Sequence, residues 1–419
     1  MITSFAINDI LKKIYRYYCI IIYSGLIFFI AFDGVRDSLT FSSVLSVMRE
    51  FFVIAGLGIY LLSFSFKIKL NFRFFIYLSL FFVFCYGAVF TVFPIYKELR
   101  VVSEPIVVLY KHFQFFILLL AFSVIEKNTK VSFDKFILLF VIFCLIHVAI
   151  TPLAFYHPPF FFKPDFKQWG RLGIGYPTMD AQTICFSIIA LIYALKVNTF
   201  LLNVCFAILV LGVLLQVTGT GMVTLAVIFL YFMVYGKNHI YKPHHFTPSI
   251  IMVVFTIVFI VLNYSNDMDK ILYLAGDKVS NILNGGDGIS TSIRRMQFSE
   301  LKDLVWKDPF FMLFGIGAAV YVENQYSFFV IAFGLIGVGV FIVFLGYNIF
   351  IGFLERNKDR NVLLLATIIF SLTSYTLTSF YLFSNYAAFA LFLTYSNHLK
   401  NRVKSYDLYF EKGYKRDKL

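Results

Sequence analysis

The sequence predicts an all-α polytopic membrane protein with about twelve transmembrane helices and two large loops on the outer side. Three observations carry that reading. Of the 419 residues, 60% are hydrophobic and 20% aromatic, whereas soluble domains hold about 45–50% apolar residues. Apolar runs long enough to cross a bilayer as helices recur along the whole chain. Lysine and arginine collect at alternate ends of these runs. One membrane domain over residues 1–419 is expected, in place of the several soluble domains that length alone suggests.

In chain order the runs fall at about 17–32, 44–66, 74–93, 106–125, 136–155, 178–196, 199–217, 221–236, 249–264, 325–347, 361–380 and 383–398. Lys12, Lys13 and Arg16 precede the first run. No small-residue cleavage site follows it, so it reads as an uncleaved anchor. The short connections 67–73, 126–135, 237–248 and 355–360 hold eleven Lys and Arg, and the tail from Lys400 adds seven. The short connections 33–43 and 94–105 hold three: Arg36, Lys97 and Arg100. The positive-inside rule then predicts both termini in the cytoplasm, in keeping with an even number of crossings. Cys19, Cys85, Cys144, Cys185 and Cys205 all fall within apolar runs, where they read as small packing residues.

In a soluble chain a formal charge of +13 would point to nucleic acid. Here most of the excess is a topology signal, and no nucleic-acid partner is expected. Two longer loops on the outer side, 156–177 and 265–324, still hold nine basic residues: Lys163, Lys167, Arg171, Lys270, Lys278, Arg294, Arg295, Lys302 and Lys307. Long loops are partly exempt from the topology rule. The functional alternative is an anionic partner at the membrane surface: a lipid headgroup, a lipid diphosphate or an acidic polysaccharide. Arginine suits phosphate because its planar fork donates several hydrogen bonds at once.

Within the second loop, Ser290, Thr291 or Ser292 can cap a helix that ends near Trp306, before Pro309. On it Arg294, Phe298, Leu301 and Val305 share one face. Arg294 is the polar member of that face and lies near the helix's positive end, which favours an anion. Arg295, with Ser299, Lys302 and Trp306, falls on a more solvated side as a helper or a surface charge. The competing reading is an ordinary interfacial amphipathic helix. Arg171, in "WGRLGIGYPTMDAQ", stands at the mouth of the sixth run. Inside the runs, Arg49, Glu50, Lys111, His112 and His147 are candidates because ionisable groups in a membrane are costly. Arg49 and Glu50 can pair with each other, and Lys111 can snorkel to the interface.

Arg294, Phe298, Asp308–Pro309, Gly315–Ile316–Gly317, Glu323–Asn324–Gln325–Tyr326 and Gly334–Leu335–Ile336–Gly337 together resemble the O-antigen polymerase and ligase superfamily. Arg171 with Gly173, Pro177 and Ala181 resembles the arginine segment of that family's other large loop. The polymerases share the placing of large loops after the fifth and ninth runs. Two departures stand out. Ligases usually carry a histidine just before the asparagine, and here the residue is Glu323, which favours polymerase. Many relatives have an arginine at the start of the eighth run, where this chain has Gly221 in "TGTGM". Arg49, Arg100 or Lys111 could substitute for it.

The resemblance implies a GT-C-like architecture in a bacterial inner membrane. It implies glycosyl transfer at the periplasmic face between undecaprenyl-diphosphate-linked oligosaccharides. Membrane lipids and a chain-length-determining co-polymerase are the other partner candidates. Arg294 and Arg171 would stabilise the leaving diphosphate. Glu323 would act either as a base on the attacking hydroxyl or as a salt-bridge partner for a loop arginine. Arg295, Arg49, Lys111 and Arg100 are candidates for substrate binding. No cofactor or metal is expected, with Asp33 and Asp37 in "FDGVRDSL" the one reservation. A lipid-linked oligosaccharide flippase is the non-enzyme alternative, but it should show two equivalent halves, and no such repeat is visible.

Overall fold

Residues 2–63, 72–93, 105–163, 175–235, 241–263, 289–318, 322–354 and 358–416, with isolated positions 273, 276 and 280, are described in a computed structural model of the chain. Among them every regular element is helical, and the one β contact is an isolated bridge between Leu39 and Phe162. In order the helices are α1 Ile2–Arg36, α2 Ser42–Ser63, α3 Phe72–Val92, α4 Pro105–Ser123, the short α5 Ile125–Thr129, and α6 Phe133–Tyr156. Then come α7 Pro177–Ile189 with a π turn over Ala190–Ala194, α8 Thr199–Leu215, α9 Gly219–Tyr235, and α10 Thr247–Asn263. The last are α11 Ile289–Trp306, α12 Pro309–Phe314, α13 Gln325–Leu354, α14 Lys358–Thr376 and α15 Phe383–Arg416.

Among the described residues, seven helices are long and apolar enough to cross a membrane, and four further apolar helices are shorter. This is an all-helical, membrane-embedded protein. The side chains agree: on α2, Val47, Phe51, Ile54 and Leu61 form an exposed apolar stripe, while Arg49, Val53, Gly56 and Ile59 face inward. A helix apolar all round belongs in lipid or in a large core. Centrally placed α7 and the start of α15 are buried almost throughout, from Pro177 to Tyr193 and from Phe383 to Tyr395. Helices α1, α4, α7 and α14 all pack on α15. The cysteines are free thiols; Cys19, Cys144 and Cys185 are buried and the other two half-buried.

One helix is broken. Gly334 in α13 has φ +65°, a left-handed conformation that favours glycine. The break frees the carbonyls of Ile331 and Ala332, which accept from the amides of Ile316 and Gly317 at 2.9 and 3.0 Å. The Gly-x-Gly turn is therefore the strand-like partner of the kink. Buried backbone needs this kind of partner, above all where water is scarce.

Polar side chains gather at the two ends of the bundle. At one end the segments around residues 37–41, 161–163, 315–318, 322–324 and 377–382 meet, through Thr40 N to Phe161 O at 2.9 Å and Thr378 Oγ1 to Val322 O at 2.6 Å. At the other, Lys127 Nζ donates to Ser63 O at 2.8 Å and Tyr395 OH to Asp134 at 2.8 Å.

Candidate functional site: a cationic pocket

The first of these ends holds a cavity of about 390 Å³. Its charged lining is Asp33, Arg36, Asp37, Arg49, Lys111 and Lys163. The last turn of α1 supplies Asp33 and Arg36, three apart and so on one face, and Asp37 follows the helix directly. Arg49 comes from the second turn of α2, Lys111 from the second turn of α4, and Lys163 from the linker after α6. Tyr381 and Phe383, at the entry to α15, close the remaining side.

The arginines are held firmly. Arg49 Nη1 donates to Asp33 Oδ1 at 2.9 Å, and its Nη2 lies 2.5 Å from Glu50 Oε1. Arg36 reaches the same Asp33 oxygen at 3.2 Å and Asp37 at 3.0 Å. The Arg49 guanidinium also lies over the Phe383 ring at 5.0 Å. Behind it, Glu50 Oε2 accepts from Tyr110 OH at 3.0 Å and from Gln114, which in turn accepts from Tyr386. Lys111 Nζ sits 3.5 Å from the centre of the Tyr381 ring, and no carboxylate lies within 4.0 Å of it among the described residues. Lys163 Nζ donates to the Asp37 carbonyl at 2.7 Å. Four cations thus face two carboxylates, both already committed to arginine. The surplus is positive, so the pocket suits an anion rather than a divalent metal.

The floor depends on close backbone contact. Tyr176 N donates to Gly34 O at 3.0 Å. A Cβ on Gly34 would stand 1.8 Å from Asp180 Oδ1, and one on Gly175 would stand 2.4 Å from Asp180 Oδ2. Asp180 is buried, and its Oδ2 lies 3.8 Å from His147 Nε2. His147 Nδ1 is 2.8 Å from the Ala31 carbonyl, so Nδ1 carries a proton and Nε2 faces the carboxyl group. Sequence reasoning picked out His147 and missed Asp180, although "PTMDAQ" puts that carboxylate inside an apolar run.

Arg49 and Lys111, both expected to bind substrate, share this pocket. Arg294 and Glu323 meet each other instead, Nε to Oε2 at 3.6 Å, and do not line the cavity. Helix α11 turns Phe298, Leu301 and Val305 into the core beside Arg294, while Arg295 is exposed. His112 is buried among Phe84, Phe328 and Phe380 as a packing residue. Arg171 and Arg100 lie outside the described residues. Arg36 and Lys163 are pocket residues that sequence reasoning left unassigned. For Arg36 the available signal was its spacing from Asp33.

The Glu323–Tyr326 segment ties the two sites together. Asn324 Oδ1 caps α13, accepting from Tyr326 N at 2.9 Å and Ser327 N at 3.1 Å, and its Nδ2 donates to Tyr375 O at 2.7 Å. Gln325 Oε1 accepts from Phe380 N at 2.9 Å, and Tyr326 OH meets Ser371 Oγ at 2.7 Å. This segment therefore grips the end of α14 and the linker after it, and that linker carries Tyr381 into the cationic pocket, next to Phe383 at the start of α15.

No protein-family model matches the chain, and a search of curated proteins finds no match. The resemblance noted above rests on the motif residues alone.

Proposed function

We propose that the chain is a glycosyltransferase that joins undecaprenyl-diphosphate-linked oligosaccharide repeat units at the periplasmic face of a bacterial inner membrane. In this reading it has a GT-C-like architecture, crosses the membrane about twelve times, and keeps both termini in the cytoplasm. The observation that carries it is the surplus of positive charge in the pocket, with Lys111 held on Tyr381 and facing no carboxylate.

Polymerisation needs such a place. The acceptor sugar hydroxyl attacks the anomeric carbon of the donor sugar, and the bond to the diphosphate oxygen breaks. Its electron pair leaves with the diphosphate, which takes up the hydroxyl's proton, and fixed cations stabilise the growing charge. In this reading Lys111, Arg36 and Lys163, which line the pocket, bind the diphosphate, and Arg49 holds Asp33 and α2 in register. Arg171, eight residues beyond Lys163 in the same loop, stays a candidate beside them. The Arg294–Glu323 pair favours the orienting role for Glu323: the carboxylate aims the guanidinium. Gripping the α14–α15 linker then sets the pocket wall.

The test is surface polysaccharide length in cells lacking the gene, complemented with wild type, Lys111→Ala or Arg294→Ala at matched protein levels. A deletion strain carrying single repeat units on its surface lipid supports the reading. Lys111→Ala should then lower polymer yield by about a hundredfold or more, the usual cost of losing a charge-stabilising donor, and Arg294→Ala, which loosens the pocket wall, should lower it less. Full-length polymer that never reaches its anchor would indicate a ligase. Repeat units never exposed outside would indicate a flippase. Either result overturns the proposal.

A further inference from the structure

A second cavity of about 430 Å³ opens between α3 and α4, with α15 behind it. Its polar residues collect at one end: Arg73 in the first turn of α3, Ser123 closing α4, and Asn397 on α15. From there the walls turn apolar, through Leu78 and Phe81 on α3 and Phe116, Leu119 and Leu120 on α4. Phe81 and Leu120 are exposed on the outside of the bundle, so the cleft is open sideways.

Arg73 is fixed in place but not neutralised. Its Nη1 donates to Asn397, its Nη2 donates to Tyr77 OH at 3.2 Å, and the guanidinium lies over the Tyr77 ring at 5.4 Å. Both partners are neutral, and among the described residues no carboxylate lies within 4.0 Å. A planar cation preset in this way is a receptor for phosphate oxygens. Free phosphate would satisfy the arginine and leave the apolar walls empty. A phospholipid fills both parts, and basic pockets between membrane helices are known receptors for anionic headgroups.

This cleft is separate from the cationic pocket. Phe383 lines the pocket and Asn397 lines the cleft, fourteen residues along the same helix. At the helical rise that is about 21 Å, most of the thickness of a hydrocarbon core.

We propose that the α3–α4 cleft holds one anionic phospholipid, with its phosphate on Arg73 and an acyl chain along Leu78, Phe81, Phe116 and Leu120. The test uses the purified full-length protein, offered phosphatidylglycerol or phosphatidylcholine with identical chains and read by native mass spectrometry. Wild type should retain phosphatidylglycerol about fivefold better, roughly the surface attraction of one arginine. Arg73→Gln should abolish the preference, and Leu120→Trp, on the open side, should lower retention of both lipids. Inorganic phosphate should not displace the bound lipid. Equal retention by wild type, a preference surviving Arg73→Gln, or release by inorganic phosphate overturns the proposal. If Arg73→Gln fails to accumulate, unchanged phosphatidylglycerol retention in Leu120→Trp overturns it as well.

Discussion

Arg49 shows how a single charged side chain is made tolerable inside an apolar helix. Its guanidinium, 7% exposed, meets Asp33 and Glu50, and its flat face covers Phe383. Removing one member of a buried ion pair leaves the other charge stranded, which costs about 3–5 kcal/mol. Arg49→Ala is therefore expected to lower the thermal midpoint of the purified protein sharply. Arg49→Lys, which keeps the charge and loses the fork, should lie between the two. An unfolding midpoint unchanged in Arg49→Ala would show that the pair holds nothing together. Lys111 behaves in the opposite way: resting on an aromatic face, it can be lost with little effect on folding. A variant that folds normally but loses polymer is the signature expected of it.

At the scale of elements, the kink in α13 and the Gly-x-Gly turn form one device. A Cβ at Gly334 would come within 2.3 Å of Leu313 O, and one at Gly315 within 2.4 Å of the Ala332 carbonyl carbon. Both glycines also hold positive φ. Gly334→Ala should cost stability twice over, through a strained backbone and through lost close packing, at about 1–3 kcal/mol for each. Its yield in detergent should fall well below that of Gly339→Ala, where a Cβ meets open space. Equal yields would mean that the kink tolerates a side chain. Both glycine motifs were legible in the sequence, but their contact was not, because nothing local says which carbonyls a broken helix will free. The same limit applies to the pocket. Arg49 and Lys111 stood out as charges in apolar runs, whereas Lys163 joins them only because the linker after α6 folds back on residues 37–40. Asp180 was hidden by its position in the first turn of its run, where a carboxylate reads as an ordinary helix-start residue.

For the whole molecule, each predicted apolar run overlaps a helix among the described residues, and seven of those helices are long and apolar enough to cross a membrane. How the helices pack is set by contacts across the bundle, which periodicity does not specify. The proposed orientation can be checked in a cysteine-free background, with Asp37→Cys at the pocket end and Lys127→Cys at the other. A membrane-impermeant maleimide should label the first in intact cells and the second only after permeabilisation. The reverse pattern would place the pocket in the cytoplasm and remove the polymerase reading with it.

The four consecutive residues from Glu323 to Tyr326 have a last consequence. Asn324, Gln325 and Tyr326 hold the end of α14 and the linker after it from outside the pocket, and Glu323 meets Arg294, while the pocket cations come from α1, α2, α4 and the linker after α6. Shape and charge are thus encoded on different stretches of chain. Under the proposed function, descendants of this sequence can change the wall at Leu382 to admit a different sugar while the cations, and Tyr381 beneath Lys111, stay in place, so the architecture is suited to diversification of what it accepts.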